Sequence, residues 1–595
     1  ATQNNDASNY NVAVGYNAAT AVTTGINNVL IGGNAGQALT TGSNNVAIGK
    51  AALYTEDAHG RNVAIGDGTL YYLNAGTDGY NVAVGWQSGT SATTGQGNTL
   101  LGAQSGTALT TGLYNVAIGY KSLKTCEDSD YNTAVGYRAL EDYEDGDGNG
   151  HNTAIGNSSQ LNATTGEFNT SLGSLSMGAG GTTGDNNIAI GNSAGLYLSS
   201  GSNNILIGSY TGDNLQAGTR NVAIGYAALS TESGNGYNVA VGYESLKALN
   251  AGANGYNVAL GYQAGLTMST GIRNTILGGL AGDALTTGSN NTALGYAALS
   301  TEDAHGRNVA IGAGALYALN AGADAYNIAI GYDAGGSMST GVQNTIIGGL
   351  AGDALAAGSY NQAFGYNALG AETGASRSTA IGYFALAVQN VGSGEANNVA
   401  IGHSAGAAVT SGVQNTLMGN LAGNALTTGS FNVAIGKAAL STEDGNGRNV
   451  AIGYAALETQ NAGADAFNVA VGFNAGNAVT TGIYNTLIGG NAGDALTTGT
   501  RNTAVGMFAL TLEDAHGSNT AVGYSALGNL NAGAEGYNTA IGSAAAAAMT
   551  TGVKNTMVGS SAGDSLTIGN NNTALGYLAL STSVDGDFNT AIGSS

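Results

Sequence analysis

Apolar and polar positions recur in one pentapeptide along the whole chain: Asn, Val or Thr, a small apolar residue, Ile, Val or Leu, and Gly, as in Asn45 to Gly49. There are 34 copies, and one of them, beginning at Ser378, lacks the leading Asn. We number these positions 1 to 5 and continue the count to the next copy. The copies lie 17 residues apart, with a longer step of 19 or 20 residues about every fourth copy. A fixed period this short predicts one turn of a solenoid per repeat.

Within the pentapeptide, alternation places positions 2 and 4 on one face and positions 3 and 5 on the other. Because Val46 and Ile48 are β-branched, we expect them to face the core, with Ala47 outward. A second apolar patch follows, as in Leu53, and then a turn rich in Thr, Gly and Asn. Two strands and two turns per repeat predict an all-β fold: a parallel β-solenoid, in the form of a flattened β-roll, of about 34 coils with 17 residues per coil.

The longer steps divide this single continuous solenoid, residues 1–595, into four-coil super-repeats of about 70 residues. One unit is longer and holds six coils, which suggests an internal duplication. The predicted units are 11–80, 81–151, 152–256 (the six-coil unit), 257–326, 327–397, 398–467, 468–537 and 538–595.

Position 3 predicts contacts between chains. It is Ala in 25 of 34 coils, as at Ala47, and a large residue in the second coil of most super-repeats. If this position faces outward, a lone chain exposes a long apolar stripe, which packing against identical chains would bury. We therefore expect the chain to pack against identical chains, with small residues at position 6 beside the large ones. The large residues are Leu30, Leu100, Leu206, Ile276, Ile346, Leu417, Leu487 and Met557.

The Asn at position 1 predicts a second repeated feature. Asn tolerates turn conformations, and its amide can bond to the same residue one coil away, which would satisfy polar groups at a tight corner. We expect such a structural ladder along the chain, beginning with Asn11, Asn28, Asn45, Asn62, Asn81, Asn98, Asn115 and Asn132.

Charge and composition exclude several classes of function. The net charge of −23 disfavours binding to nucleic acid, and no apolar run is long enough for membrane insertion. The single Cys126 cannot form an internal disulfide. Because the chain has no initiator Met or signal peptide at Ala1, we expect it to be a processed or partial segment of a longer protein.

Few motifs suggest chemistry. Ser193, Ser404 and Ser561 stand in a Gly-x-Ser-x-Gly pattern, which we interpret as a by-product of the repeat, so no enzyme is expected. The turn from Thr55 to Arg61 predicts solvated charges, with Arg61 screening its own carboxylates. No cofactor is expected, with one alternative.

That alternative is a weak calcium site at Asp145, Asp147 and Asn149, where oxygen ligands alternate with glycines. The 30 tyrosines predict aromatic ladders, or alternatively a platform for sugar rings.

The repeat from Thr40 to Gly49 resembles the shaft repeats of phage tail fibres and is similar to the head repeats of trimeric autotransporter adhesins. The resemblance covers essentially the entire chain. It implies a parallel β-roll, commonly a homotrimer, that serves as an extracellular fibre or adhesin.

From these features we expect a structural fibre shaft on a virion or a cell surface, extracellular, with a distal binding part for a host or cell-surface glycan that lies outside this sequence. Two alternatives remain. The chain is a filament subunit that stacks end to end, or it is a flat-faced module that binds glycan or ice.

Overall fold

The computed structural model describes residues 9–144 and 149–594, and it contains two compact units, Ala1–Ala293 and Leu294–Ser595. The described residues form 34 strands of three residues each and no helix. In the first unit the strands are β1 (Val12–Val14), β2 (Val29–Ile31), β3 (Val46–Ile48), β4 (Val63–Ile65), β5 (Val82–Val84), β6 (Thr99–Leu101), β7 (Val116–Ile118), β8 (Thr133–Val135), β9 (Thr153–Ile155), β10 (Thr170–Leu172), β11 (Ile188–Ile190), β12 (Ile205–Ile207), β13 (Val222–Ile224), β14 (Val239–Val241), β15 (Val258–Leu260) and β16 (Thr275–Leu277).

Strand β17 (Thr292–Leu294) contains the boundary between the units. The second unit continues with β18 (Val309–Ile311), β19 (Ile328–Ile330), β20 (Thr345–Ile347), β21 (Gln362–Phe364), β22 (Thr379–Ile381), β23 (Val399–Ile401), β24 (Thr416–Met418), β25 (Val433–Ile435), β26 (Val450–Ile452), β27 (Val469–Val471), β28 (Thr486–Ile488), β29 (Thr503–Val505), β30 (Thr520–Val522), β31 (Thr539–Ile541), β32 (Thr556–Val558), β33 (Thr573–Leu575) and β34 (Thr590–Ile592).

In each unit every strand pairs in parallel with the next strand in the chain, one coil further on. Ala47, for example, is in register with Leu30 on one side and Ala64 on the other. The same register, one pentapeptide against the next, holds from β1 to β16 and from β18 to β34. The predicted all-β parallel solenoid is therefore confirmed. The eight super-repeat units remain predictions.

One expectation about the coil was wrong: the described part of each coil holds one strand, not two. The second apolar patch forms turns, although its backbone still bonds to the next coil. The Leu53 N–H donates to the Thr69 carbonyl (2.9 Å) and the Thr55 N–H donates to the Tyr71 carbonyl (3.1 Å). These bonds satisfy the backbone without the extended geometry of a strand.

The direction of the strand side chains is the reverse of the prediction. Position 3 is buried in every strand except those at the two ends, whereas positions 2 and 4 are half-buried or exposed in all 34. Ala47 is 0% exposed, and Val46 and Ile48 lie on the outer surface. The interior is narrow and already holds Leu53 from the opposite side of the coil. A small residue therefore fits inward, and the β-branched residues take the outer face.

The large residues at position 3 are consequently core residues and not contacts between chains. Leu30, Leu100, Leu206, Ile276, Ile346, Leu417, Leu487 and Met557 are all 0% exposed. Each faces a glycine at position 9 of its own coil: a Cβ added to Gly423 would lie 2.8 Å from the Cδ2 atom of Leu417. In other coils, such as the coil of Ala47, position 3 is Ala and position 9 is a buried Leu, here Leu53. In coils of this kind the bulk missing at position 3 is supplied by position 9, inside the core. A third kind of coil, such as that of Ala83, has a small residue at both positions, with Gly89 at position 9.

Glycine at position 5 is required by the stacking of the coils. Gly49 has φ of 137°, a region that side chains disfavour, and a Cβ there would collide with the carbonyl of Gly66 in the next coil. The column of glycines therefore allows the chain to turn away from the strand at the same point in successive coils.

Candidate functional site

The predicted Asn ladder is present, with a different pattern of hydrogen bonds from the one expected. The Asn45 backbone N–H donates to Asn28 Oδ1 (2.9 Å), and Asn45 Oδ1 accepts the Asn62 N–H (3.0 Å). The Asn28 Nδ2 atom donates to the Gly42 carbonyl (2.9 Å). Bonds of the first kind join all eight predicted members in order, from Asn11 to Asn132. The side-chain amide thus bonds mainly to backbone groups of adjacent coils and less to other side-chain amides.

At Ser378, where the Asn is missing, a glutamine bridges the gap. The Ser378 N–H still donates to Asn361 Oδ1 (2.9 Å). Gln389, fully buried, donates from Nε2 to Ser378 Oγ (3.0 Å) and accepts from Asn398 Nδ2 at Oε1 (2.9 Å). Sequence reasoning did not find this role. The signal was a polar residue in the second apolar patch of the one coil that lacks Asn.

The outer face of the sheet recurs in every strand of both units. We define the outer face as the side chains at positions 2 and 4 of the strands. Position 4 is Ile, Val, Leu, Phe or Met in all 34 coils, and position 2 is Val, Ile or Thr in all but Gln362. No charged residue occurs at either position. Ile118 and Ile435 are representative, the first exposed and the second half-buried. Each unit therefore presents an uncharged, mostly apolar strip to solvent.

Aromatic columns flank the outer face. Tyr114, Tyr131, His151 and Phe168, at the position before the strand Asn, form a continuous stack with centroids 5.5, 4.9 and 4.9 Å apart. Stacks at position 6 include Tyr226, Tyr243 and Tyr262 (5.2 and 5.5 Å) and Tyr366, Tyr383 and His403 (5.7 and 5.4 Å). The predicted ladders are therefore present.

This geometry weakens the alternative of a sugar platform at the stacks. The interplanar angles in the stack from Tyr114 to Phe168 are 6 to 16°. Because the ring faces cover one another along the axis, only the ring edges point outward. A sugar ring stacks on a free aromatic face, which these columns do not offer.

The acidic turns are not simply solvated. Glu56 is fully buried: its Oε1 accepts the His59 N–H (3.0 Å) and its Oε2 accepts the Ala75 N–H of the next coil (3.3 Å). Arg61 does not screen the carboxylates of its own turn but pairs with Asp78, one coil on, at 3.1 Å. The same buried carboxylate recurs as Glu232, Glu302, Glu372, Glu443 and Glu513. The signal in the sequence is that Glu56 occupies position 12, where the preceding coil has the core residue Leu39.

Three of these turns also carry a histidine. The ligand atoms of Glu56, Asp57 and His59 lie within 4.8 Å of one another, as do those of the turns that begin at Glu302 and Glu513. His59 Nδ1 is 3.4 Å from Glu56 Oε1. Glu372 makes equivalent backbone bonds in a turn without histidine, to the Ala375 N–H (2.8 Å) and the Val391 N–H (3.1 Å). The carboxylate is thus explained as a cap for the turn, and we assign no metal there.

The predicted calcium ligands Asp145 and Asp147 lie outside the described residues. Asn149 is described and forms an isolated parallel bridge with Asp130. The calcium site therefore stays a prediction.

The serines of the Gly-x-Ser-x-Gly pattern lie at position 7, just after the coil corner. Ser193, Ser404 and Ser561 all have φ between 52 and 56°. A nucleophile elbow needs a helix after the serine, and the described residues contain no helix. For the same reason, nothing in the described part of the chain is a helix with the length and hydropathy to span a membrane. No family model matches the chain, and no curated protein matches it either.

Proposed function

We propose that this protein is the structural shaft of an extracellular fibre, such as a phage tail fibre or a surface adhesin, and that the outer face of its sheet packs against further copies of the same chain. The uncharged outer face is the observation that carries the proposal. The outer face takes the place of position 3 as the expected contact between chains, because the residues at position 3 lie in the core. A homotrimer is the assembly that the resembling fibre families commonly form.

The size of the outer face supports the proposal. In the second unit, 17 apolar residues occupy position 4 of β18 to β34. With on the order of 50 Å² exposed for each, they contribute roughly 850 Å², beyond the largest patch of a typical soluble monomer, about 300–600 Å². That area also matches what each partner buries in a stable interface, about 800 Å². Burying it would stabilise an assembly of parallel copies.

The mechanical part of the function follows from the coil. Parallel strands about 4.8 Å apart, each bonded to the next through backbone and Asn side chains, resist stretching along the axis. In both units these bonds recur from coil to coil, with Ser378 and Gln389 in place of the Asn in one coil. A chain of this kind gives length and stiffness to whatever is attached to it.

The test is the mass of the purified protein by light scattering. We expect a multiple of 58.2 kDa for the wild type. The variant Ile435→Lys with Ile452→Lys places two charges on the outer face and should reduce the mass to that of one chain, with an unchanged circular dichroism spectrum. The matched control, Thr428→Lys with Thr498→Lys, adds the same charge at exposed turns and should keep the wild-type mass.

A wild-type mass of one chain, or equal dissociation of both variants, would contradict the proposal. A mass that grows continuously with concentration would instead favour the end-to-end filament.

A further inference from the structure

A cavity of about 420 Å³ lies on the surface of the second unit. Its walls include Tyr296, Tyr317 and Tyr332, and its polar groups include the carboxylates of Asp333 and Asp353. None of its ten lining residues is basic. An aromatic cavity with two acidic groups is suited to a cation, because the ring faces and the carboxylates both attract positive charge.

The cavity exists because of one glycine. Position 7 carries a side chain in every coil except those of Gly68 and Gly314. Both glycines line a cavity, and both have positive φ, 66° and 69°. A Cβ on Gly314 would collide with the Asp333 carboxylate, which leans over the glycine. The missing side chain therefore opens the floor of the cavity and leaves room for the carboxylate.

The aromatic walls have uncovered faces. Tyr296 and Tyr332 stand at position 6 of coils two apart, with Ala313 between them. They are 64% and 63% exposed, whereas the stacked Tyr226 and Tyr366 are 45% and 46% exposed. Two coil spacings are about 9.6 Å, so a group midway would lie about 5 Å from each ring, within the reach of a cation–π contact of about 6 Å.

The two carboxylates distinguish the charge of this cavity from that of the cavity at Gly68. Burial raises the pKa of Asp353, and the charge of Asp333 adds to this, against the opposing effect of hydrogen bonds from the backbone N–H groups of Ala354 and Asp353. At Gly68 the lining contains Lys50 as well as Asp67, so its charges are balanced. Of these two cavities, the one at Gly314 combines well-exposed tyrosines with two carboxylates and no basic residue.

We propose that the cavity at Gly314 is a binding site for a small organic cation that carries a guanidinium group. Guanidinium is planar, so it lies between the faces of Tyr296 and Tyr332. Its N–H groups donate in pairs to the carboxylates of Asp333 and Asp353. Tyr317 closes the side of the cavity against the aliphatic part of the ligand.

The test is isothermal titration calorimetry of the full chain with Nα-acetyl-L-argininamide at low ionic strength. We expect one site per chain. The neutral isostere Nα-acetyl-L-citrullinamide, which has the same shape without the charge, should bind at least about tenfold more weakly. Equal binding of the two compounds would overturn the proposal.

Three variants locate the site. Asp333→Asn with Asp353→Asn keeps the shape of the cavity and should weaken binding by at least about tenfold. Gly314→Ala should also weaken binding by at least about tenfold, because the added methyl group fills the floor of the cavity. Gly68→Ala adds the same methyl group at the same backbone conformation in the other cavity and should bind like the wild type. Binding that survives the two Asn substitutions, or that Gly68→Ala weakens as much as Gly314→Ala, would refute the assignment.

Discussion

The substitution Asn204→Asp tests whether the Asn ladder stabilises the stack of coils. Asn204 is fully buried. Its Nδ2 donates to the Gly218 carbonyl (2.8 Å) and to Asn187 Oδ1 (3.0 Å), and its Oδ1 accepts the Asn221 N–H (3.0 Å). Replacing the amide nitrogen by an oxygen keeps the bond from the Asn221 N–H. The new oxygen cannot donate a hydrogen bond, and it faces two acceptors, the Gly218 carbonyl and Asn187 Oδ1.

The expected loss follows from these bonds. Two donated bonds disappear. The Gly218 carbonyl loses this partner, at about 1–3 kcal/mol for an unsatisfied group, whereas Asn187 Oδ1 keeps the Asn204 backbone N–H (3.0 Å). Burying the new charge adds to this, so we expect a loss of about 2–5 kcal/mol at pH 7. Burial also raises the pKa of the new carboxyl, and its protonated form can still donate one bond. The loss should therefore shrink as the pH falls below that pKa.

Hydrogen exchange followed by mass spectrometry is the appropriate assay, because each coil contacts only its neighbours and the damage stays local. Since about 1.4 kcal/mol corresponds to a tenfold change, amides of the coils from Asn187 to Asn221 should exchange roughly 30- to 4,000-fold faster. The control Asn203→Asp makes the same chemical change at the adjacent, exposed residue. Equal exchange in the two variants would refute the stabilising role of the ladder.

Three further predictions concern the core and its titration. In a double-mutant cycle, Leu417→Ala should destabilise the protein by leaving a cavity, and Gly423→Ala should destabilise it by overlap with Leu417. The double variant should lose at least about 1 kcal/mol less unfolding free energy than the sum of the two single losses. Additive losses would contradict the packing of these two positions against each other. Gln389→Leu should accelerate amide exchange around Ser378, while unchanged exchange would show that the bridge is dispensable. Burial raises the pKa of Glu443 and of Asp494 above their ordinary values of 4.5 and 3.8. The unfolded chain then ionises first, so the contribution of these two groups to stability should be greatest below those values and fall as the pH rises through the folded pKa. Asp494→Asn should remove its part of this dependence of the melting temperature on pH, and an unchanged slope would contradict it.

The period of the repeat was sufficient to predict the fold. A pentapeptide at 17-residue spacing has few ways to bury its apolar residues, so the parallel solenoid and its Asn corner follow from the pattern alone. The direction of the strand did not follow. Alternation shows that Val46 and Ile48 share a face but not which face is the core, and hydrophobicity favoured the wrong one. The interior holds Ala47 because Leu53 already fills it.

The functional features were harder to predict because they depend on contacts between coils. Glu56 looked like a surface charge, yet its carboxylate lies where backbone N–H groups of two coils converge. The cavity at Gly314 depends on the absence of one side chain and on the carboxylate of Asp333, one coil further on. Such contacts bring together residues 16 to 20 apart in the sequence, and a pattern within one repeat does not show them.

Mass per unit length, measured by dark-field scanning transmission electron microscopy, tests the central claim most directly. With 58.2 kDa over 595 residues, a coil of 17 residues has a mass of about 1.7 kDa and rises about 4.8 Å, which gives about 3.5 kDa per nanometre for one chain. A shaft of parallel copies predicts an integer multiple of that value, about 10 kDa per nanometre for three chains. A uniform value near 3.5 kDa per nanometre would show that the outer face stays bare, and would contradict the proposed assembly.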